Sequence, residues 1–424
     1  PAAGAVGAAY IALRAGRPNV VTLDMGGTSA DVALIDDGRT EIAFQRDVAG
    51  FPIRLAMVDI DTVGAGGGSI AWFDRDGLLK VGPISAGAVP GPACYGQGGT
   101  EPTVTDANLV LGRLSPTGLL DGAMPLDPVV AETSLKPVAE KVGVSLQEAA
   151  LGVLAIAVAN MTRSVRRMSV ERGRDPREFV LMAFGGAGAL HAREVAAELG
   201  MGEVLVPPSP GIVCAEGLLV SDQKEDFVAS LRLLLHTNQM SVAADTVTRL
   251  ATRAAEWFDA ENLPYATRTM ELALDLRYVG QNFELIVPVA SAPSLSGADM
   301  PDIKALANAF FAAHDRAYGF HDPGAAIEIV NFRMTALGRL YDAEDMPEPG
   351  KAQPMPEPTG YRPVWFNGEA SMETPIYRRE TLAPGMTFTG PAIIDQLDAT
   401  TPVHPGDTVD VRPDSSMLIA LKEA

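Results

Sequence analysis

A chain of 424 residues supports two to four domains with ample core. Its 33 basic and 53 acidic residues give a formal charge of −20, which argues against nucleic acid or an anionic membrane as the main partner, because bound phosphates need clustered Lys and Arg. The two cysteines, Cys94 and Cys214, match no zinc spacing and read as buried small residues, a usage that suits a reducing cytoplasm.

No apolar run reaches the roughly 18 residues of a membrane span, and no basic-then-apolar leader opens the chain. Residues 1–16 predict a helix packed through Gly and Ala, stopped at Gly16-Arg17-Pro18. The chain opens at Pro1 without a methionine, inside what reads as a helix, so it is expected to start within a larger protein. Val20 to Ile35 then reads as strand, tight turn, strand. In that hairpin Gly26 and Gly27 would let backbone N–H groups approach phosphate oxygens without an intervening Cβ. Thr28 and Ser29 add hydroxyl donors, and Asp24 and Asp31 are candidates for holding Mg²⁺ or its waters. The alternative is an ordinary β-hairpin with a Gly-Gly turn.

Strands are expected over 40–48 and 51–58, leading into Asp59-Ile60-Asp61 and the run Gly66-Gly67-Gly68. Adjacent glycines between apolar strands give a core nothing, so a close backbone approach to a ligand is the favoured account, with a β-bulge or turn as the rival. Asp59 and Asp61, two apart on a strand, point the same way and are candidate metal or proton-transfer groups. Residues 82–106 form a long Gly/Pro-rich loop, ordered by its apolar content. Asp106 is the expected N-cap of a helix starting near Ala107, a metal or substrate role being the alternative.

A long helix is predicted over 145–172, ending in Arg163, Arg166 and Arg167, which favour the negative end of the helix dipole. Residues 179–184 then predict a buried strand, followed by Gly185-Gly186-Ala187-Gly188 and a helix over 189–199. Strand, glycine turn and helix N-terminus make an anion or nucleotide site; the full dinucleotide fingerprint and a Walker lysine are both missing. His191 reads as a satisfied or solvent-facing histidine, or else as a ligand or proton donor.

Beyond residue 225 a helix is expected over 241–260, strands near 267–278 and 280–285, and a helix near 303–317. His314 and His321, seven apart, would share a helix face, but Gly319 between them argues against a metal pair. Residues 343–360 read as a linker and 362–421 as a small all-β domain. The domain boundaries expected are 1–225, 226–345 and 346–424.

The motifs Asp24-Met25-Gly26-Gly27-Thr28-Ser29, Val63 to Ala71, Gly82-Pro83 through Cys94-Tyr95, Thr105-Asp106-Ala107-Asn108, Ser169 to Gly173, Phe184 to Gly188 and Arg277 to Gln281 together resemble the hydantoinase A/5-oxoprolinase family. That resemblance implies an α/β fold similar to the actin, sugar kinase and Hsp70 ATPases, a ribonuclease-H-like lobe here followed by a small C-terminal β-rich domain. It implies ATP-dependent opening of a cyclic amide such as a hydantoin or 5-oxoproline. Gly26, Gly27, Thr28 and Ser29 would then hold phosphates, Asp24 and Asp31 would work through Mg²⁺ (or Mn²⁺), and Gly185, Gly186 and Gly188 would approach the nucleotide. Gly66, Gly67 and Gly68 would line the reacting centre, with Asp59 or Asp61 in metal or proton transfer. A hydantoinase B-like subunit or region is the implied partner, in a cytoplasmic hetero-oligomer.

Two departures qualify the resemblance. Members begin with an N-terminal domain bearing its own phosphate hairpin, and this sequence has no such stretch. Members carry His or Asn where this chain has Asp61, which leaves subtype and any metal there open. An acetone carboxylase-like subunit and a non-catalytic nucleotide-binding module remain the alternatives.

Overall fold

The computed structural model describes residues 1–43, 46–48, 50–53, 57–339 and 354–422. The first part of the chain lays down helix α1 (Ala2–Arg14), strands β1 (Val20–Met25), β2 (Ala30–Asp36), β3 (Ile60–Val63), β4 (Ser69–Phe73) and β5 (Leu79–Ser85), and helices α2 (Val104–Val110), α3 (Pro128–Val142) and α4 (Leu146–Met168). Strand β6 (Val180–Phe184), helix α5 (Gly188–Glu198), strand β7 (Glu203–Val206) and helix α6 (Val213–Val220) follow. Where strands were expected over 40–58, only short pairs form: Ile42–Ala43 with Met57–Val58, and Arg46–Val48 with Phe51–Ile53. Residues 44, 45, 49 and 54–56 of that expectation lie outside the described residues.

Residues 221–342 are a separate compact unit. It contains β8 (Gln223–Leu234), α7 (Met240–Ala260), β9 (Arg268–Tyr278), β10 (Leu285–Ala292), α8 (Ile303–Tyr318) and β11 (Ile327–Gly338). The strands form one antiparallel sheet in the order β8-β11-β9-β10, with Leu272, Leu274, Phe332 and Met334 packed with Phe258 and Phe310 of the helices. The strand expected at 280–285 begins instead at Leu285, because Gln281 turns the chain: its N–H donates to Tyr278 O and its Oε1 accepts from Tyr278 N. Strands β8 and β11 were not anticipated, although β11 does alternate from Asn331 to Ala336.

The C-terminal stretch adds β12 (Gly360–Val364), β13 (Met372–Arg378), β14 (Thr387–Thr389), β15 (Ala392–Asp395), β16 (Thr400–Val403), β17 (Thr408–Val411) and β18 (Met417–Ala420). It is β-rich as expected, but it is no independent domain. Strands β17 and β18 join the main sheet, whose order is β14-β17-β18-β7-β6-β1-β2, with Arg39–Thr40 and β3 both paired to β2. Compactness accordingly groups residues 1–220 with 343–424, where three successive domains were expected; residues 343–353 of the expected linker lie outside the described residues. The physical reason is that β7 would otherwise be a sheet edge, and the antiparallel ladder from Glu203↔Ala420 to Val206↔Met417 satisfies its backbone groups. A second sheet, β12-β13-β15-β16, packs alongside.

Each face of the main sheet is covered. Val21, Leu23 and Met25 share one core with α4 and α5, whereas Val20, Ile35, Met182 and Phe184 share another with α1 and α6. The contact between α1 and α6 is as close as the small residues suggested: a Cβ on Gly7 would stand 2.6 Å from Val213 O. Helix α4 starts at a capping box in which Ser145 Oγ accepts from Glu148 N and Glu148 Oε2 accepts from Ser145 N. The span Leu146–Arg172 does have the length and mean hydropathy, 1.2, of a membrane-crossing helix, contrary to the sequence expectation; 56% of that window is buried inside the protein, so core packing accounts for its apolar character.

Integration of the C-terminal strands is testable. Ile419→Ala removes a buried side chain from β18, a change costing roughly 2–5 kcal/mol in a packed core. Hydrogen exchange is expected to quicken at β6 and β1 amides as well as in β18, whereas a freestanding C-terminal domain would leave β1 unchanged.

Candidate functional site

Strands β1, β6 and β7 run parallel and end together, so the loops leaving them converge at one edge of the sheet. A crevice outside the carboxyl ends of parallel strands is where α/β sheets bind ligands. A cavity of about 550 Å³ lies there, within the range of small-molecule and cofactor sites. Its lining includes the backbone-rich positions Gly26, Gly27, Gly67, Thr105 and Gly186 and the apolar side chains of Leu114, Leu119, Met124, Leu190 and Leu397; Asp121, Asp395, Asp398 and Arg378 contribute the charged part.

The hairpin turn is closed by Gly26 N donating to Ser29 O at 3.0 Å. Gly26, Gly27 and Thr28 are exposed, and a Cβ built on either glycine meets nothing within 4 Å. The turn therefore presents bare backbone to open space. Thr28 and Ser29 do not line the cavity.

The Gly66 to Gly68 run packs differently from the sequence expectation. Gly67 N donates to Gly26 O at 3.0 Å and Gly68 N to Gly27 O at 2.6 Å, so the two loops zip together backbone on backbone. A Cβ on Gly66 would lie 2.5 Å from Thr28 N, and one on Gly68 would lie 3.0 Å from Gly27 O. These glycines are required by the hairpin itself, and of the three only Gly67 reaches the cavity. Thr105 N and Oγ1 both donate to Gly67 O, at 2.8 and 2.9 Å, which holds the loop from the α2 side.

Gly185 adopts φ +74° directly after β6, and a Cβ there would stand 2.5 Å from Met25 O and 2.6 Å from Asp24 Oδ1. Gly188 opens α5, with its Cβ position 2.9 Å from Leu23 O, so it too is a packing glycine. Gly186, with Ala187, is the member of this motif that lines the cavity, at the positive end of α5.

Asp24 and Asp31 are cross-strand partners on the sheet face covered by α1 and α6, and neither lines the cavity. Burial pushes the Asp24 carboxyl above the usual range, opposed by the Cys214 thiol, which donates to Oδ2 at 3.2 Å, and reinforced by the charge of Asp31. Burial and the hydrogen bond to Asp24 push the Cys214 thiol up to about 11. Asp31 accepts from Thr62 Oγ1 at 2.5 Å. Two carboxylates facing each other, one desolvated and supported by a single weak donor, fit a divalent cation that would relieve both. Mg²⁺ is commonly held by one or two carboxylates plus substrate phosphates.

Asp59 and Asp61 have other tasks. Asp61 accepts from Ser164 and pairs with Arg167 at 3.1 Å, and Asp59 pairs with Arg172, which also reaches Glu41 at 3.3 Å. These bonds clamp the end of α4 to the β2–β3 edge. Neither carboxylate lines the cavity, so a catalytic role for Asp59 or Asp61 finds no support in their placement. A guanidinium already occupies Asp61, which does not fit it as a metal ligand, and among the described residues no three His, Cys, Asp or Glu groups gather as a metal cluster.

Other expectations resolve structurally. Asp106 is the third residue of α2 rather than its N-cap: Thr103 caps, and the Asp106 carboxylate accepts from Thr103 N at 2.9 Å and Cys94 N at 2.8 Å, pinning the long loop. Cys94 is fully buried there. His191 is fully buried rather than solvent-facing, accepts from Asn108 Nδ2 at 3.3 Å, and is held neutral by burial with its pKa lowered to about 4. His314 sits among Tyr278, Phe310, Tyr318 and Phe320 while His321 pairs with Asp315, so the two do not form a metal pair.

Sequence reading missed two walls of the cavity. The strand-to-strand segment 395–400 is tied to the loop after β7, Gln396 Nε2 donating to Pro208 O at 2.6 Å and Asp398 Oδ2 accepting from Gly211 N at 2.7 Å. The loop 115–124 holds Leu120 and Asp121 at φ +53° and +54°, left-handed values costing roughly 1–2 kcal/mol per non-glycine residue. Gly118 and Gly122 beside them were the available signal.

Comparison with known proteins places these motifs. Residues 1–227 match the model of the Hydantoinase/oxoprolinase family and residues 236–424 that of the Hydantoinase/oxoprolinase C-terminal domain. The chain is 35% identical to caprolactamase subunit alpha of Pseudomonas jessenii over 95% of its own length and 58% of that protein. The crystal structure of the ATP-dependent caprolactamase from that organism superposes with a TM-score of 0.81 at 34% identity, over 100% of this chain and 62% of that one. The nucleotide-free acetone carboxylase structure gives 0.83 at 28% identity, over 98% and 60%. 5-Oxoprolinase PfmaA of Pestalotiopsis fici is 32% identical over 94% of this chain and 31% of that protein. The chain thus spans about three fifths or less of the relatives it matches.

Two substitutions separate packing glycines from cavity glycines. Gly66→Ala is expected to lower thermal stability, at a cost of roughly 1–3 kcal/mol for overpacking, whereas Gly27→Ala is expected to leave the melting temperature within about a degree. For Asp24 the raised carboxyl pKa means that ionisation at neutral pH destabilises the fold. Asp24→Asn is therefore expected to raise the melting temperature at pH 7, with the gain shrinking as pH falls through the raised pKa.

Proposed function

The chain belongs to the hydantoinase/oxoprolinase family, and from that premise we propose that it is the A-type part of an ATP-dependent enzyme that opens a cyclic amide of the lactam, hydantoin or 5-oxoproline kind. The observation that carries this reading is the bare Gly26-Gly27 turn, open to the cavity beside the N-terminus of α5 at the carboxyl ends of parallel strands. The Gly26 N–H closes the turn on Ser29 O; the remaining N–H groups of the turn and the helix dipole favour phosphate, and the absence of a Cβ lets phosphate oxygens come close. We read the lobe as one half of an actin, sugar kinase and Hsp70-like ATPase, with the base and ribose against the apolar part of the cavity lining.

Amides resist water because nitrogen donates its lone pair to the carbonyl. Transfer of the γ-phosphoryl group to the amide oxygen breaks the bond to the β-phosphate oxygen and forms a new P–O bond. The carbon becomes electrophilic; one water adds to it and the C–N bond breaks, leaving a free amine and an acyl phosphate, and a second water hydrolyses the acyl phosphate to the carboxylate and inorganic phosphate. Catalysis of such a transfer is mostly positioning and charge neutralisation. In this chain Gly26, Gly27 and the first turn of α5 position the phosphates, and Thr105 fixes the Gly67 loop that supports them. Asp24 and Asp31 stand two residues from the turn on either strand and outside the cavity lining; a Mg²⁺ (or Mn²⁺) held there would supply charge neutralisation only to phosphates that reach past Gly26 and Gly27.

Water delivery is assigned to a hydantoinase B-like subunit or region in a hetero-oligomer, and the enzyme is placed in the cytoplasm, where ATP is available. The names of the relatives support subunit assembly: caprolactamase subunit alpha and acetone carboxylase beta subunit are both parts of larger enzymes. A second reading, an ATP-dependent carboxylase subunit, is favoured by the near-equal similarity to acetone carboxylase and caprolactamase, TM-scores 0.83 and 0.81.

The deciding measurement is ATP hydrolysis by the full-length protein with its partner, challenged with caprolactam, hydantoin, 5-oxoproline and acetone, each with and without bicarbonate. Stimulation by a cyclic amide independent of bicarbonate is expected. Stimulation by a ketone that requires bicarbonate would favour the carboxylase, and calorimetry showing no Mg-ATP binding would sink both in favour of a module without nucleotide chemistry. Gly27→Ala is expected to weaken nucleotide binding roughly tenfold or more while the fold is retained, and Asp24→Asn to lower turnover roughly 100-fold or more.

A further inference from the structure

The loop 115–124 forms one wall of the cavity through Leu119, Leu120, Asp121, Gly122 and Met124. Its ends are anchored: Leu114 and Leu126 are buried in one cluster with Cys94 and Leu190, and Asp127 N donates to Cys94 O at 2.9 Å. Between those anchors the loop bonds mainly to itself. Leu119 N donates to Met124 O at 2.9 Å, Met124 N to Leu119 O at 3.2 Å, and the Ser115 and Thr117 hydroxyls lie 2.7 Å apart. A loop that satisfies its own backbone can swing as a piece without leaving orphaned groups.

One ion pair fastens it to the opposite wall. Arg378, at the end of β13 and itself lining the cavity, reaches Asp121 Oδ1 at 2.5 Å. Among the described residues this is the one side-chain hydrogen bond or ion pair that crosses from the loop to the C-terminal strands. Arg378 also pairs with Glu380 on its own side at 2.9 Å, so the guanidinium keeps a counter-charge when Asp121 leaves. Both partners are partly exposed, with side-chain exposures of 31% and 46%, which makes the pair weak and exchangeable. On the loop side, Asp121 and its neighbour Leu120 are the two non-glycine residues held in left-handed backbone. The contact that shuts the loop and the strain that opposes it thus fall on the same two residues, the arrangement of an element with two near-balanced states.

We propose that residues 115–124 are a lid over the cavity, latched by the Asp121–Arg378 ion pair and strained at Leu120 and Asp121, so that ligand entry and release require the latch to break. The gating role rests on the reading of the cavity as a nucleotide site; the existence of the latch does not. Leu119, Leu120 and Met124 are apolar members of the lining, and the base is the apolar part of a nucleotide, so on this proposal the lid covers the base and regulates nucleotide exchange.

The test has two arms, both in the full-length protein. Without ligand, hydrogen exchange at amides 117–123 is expected to speed up roughly three- to fivefold in Asp121→Asn and in Arg378→Gln, and to return toward the parent rate when Asp121→Arg is combined with Arg378→Asp. Unchanged exchange in both single variants would overturn the lid. With N-methylanthraniloyl-ADP as probe, stopped-flow release is expected to quicken by a similar factor in the single variants and to recover in the reversed pair. Faster exchange with unchanged release would overturn the gating role. Failure of the parent protein to bind the labelled nucleotide would instead count against the nucleotide reading, with the exchange arm still deciding whether the latch exists.

Discussion

The site hangs on the seam where two glycine loops meet backbone to backbone. Gly67 and Gly68 donate to Gly26 and Gly27 carbonyls at 3.0 and 2.6 Å, distances that leave no room for a side chain at Gly66 and little at Gly68. That seam orients the β1–β2 turn, and Thr105 buttresses it from α2. Asp106, one residue on, ties the same helix to the buried Cys94 turn and so sets the base of the loop that walls the cavity. A short run of hydrogen bonds therefore connects the hairpin to the far side of the pocket through elements rigid at each step.

Charge is distributed with similar economy. The protein is strongly acidic, yet Arg378 is the basic side chain in the cavity lining, and it is already engaged by Asp121 and Glu380. An anion bound here would rely on backbone N–H groups and the α5 dipole. That economy explains why the turn glycines carry no side chain where space would admit one. Other arginines serve architecture: Arg167 and Arg172 neutralise Asp61 and Asp59, joining α4 to the edge of the sheet.

The C-terminal strands complete both sheet and site. By pairing with β7 they remove an exposed edge, and the same fold-back brings residues 395–400 over the loops after β6 and β7. One topological decision therefore closes the core and supplies a cavity wall. It also accounts for the cavity lying wholly within residues 1–220 and 343–424.

By itself the sequence determined the local pieces whose chemistry is local. The hairpin Val20 to Ile35, the long helix beginning at Ser145, the glycine turn after Phe184 and the family motifs were all legible, because turns and helix starts are dictated by neighbouring residues. The same local view assigned Gly66 and Gly68 to a ligand and Asp59 and Asp61 to a reactive role, whereas the fold packs the two glycines against the hairpin and pairs the two carboxylates with arginines. A glycine run looks the same whether its open side meets a phosphate or another backbone, and a carboxylate carries no mark of an arginine more than 100 residues away. Only the tertiary structure decided which glycines face open space, which carboxylates are neutralised, and that 395–400 and 115–124 close the cavity. Those outcomes depend on contacts between segments far apart in the chain, and no periodicity or spacing within one segment encodes them.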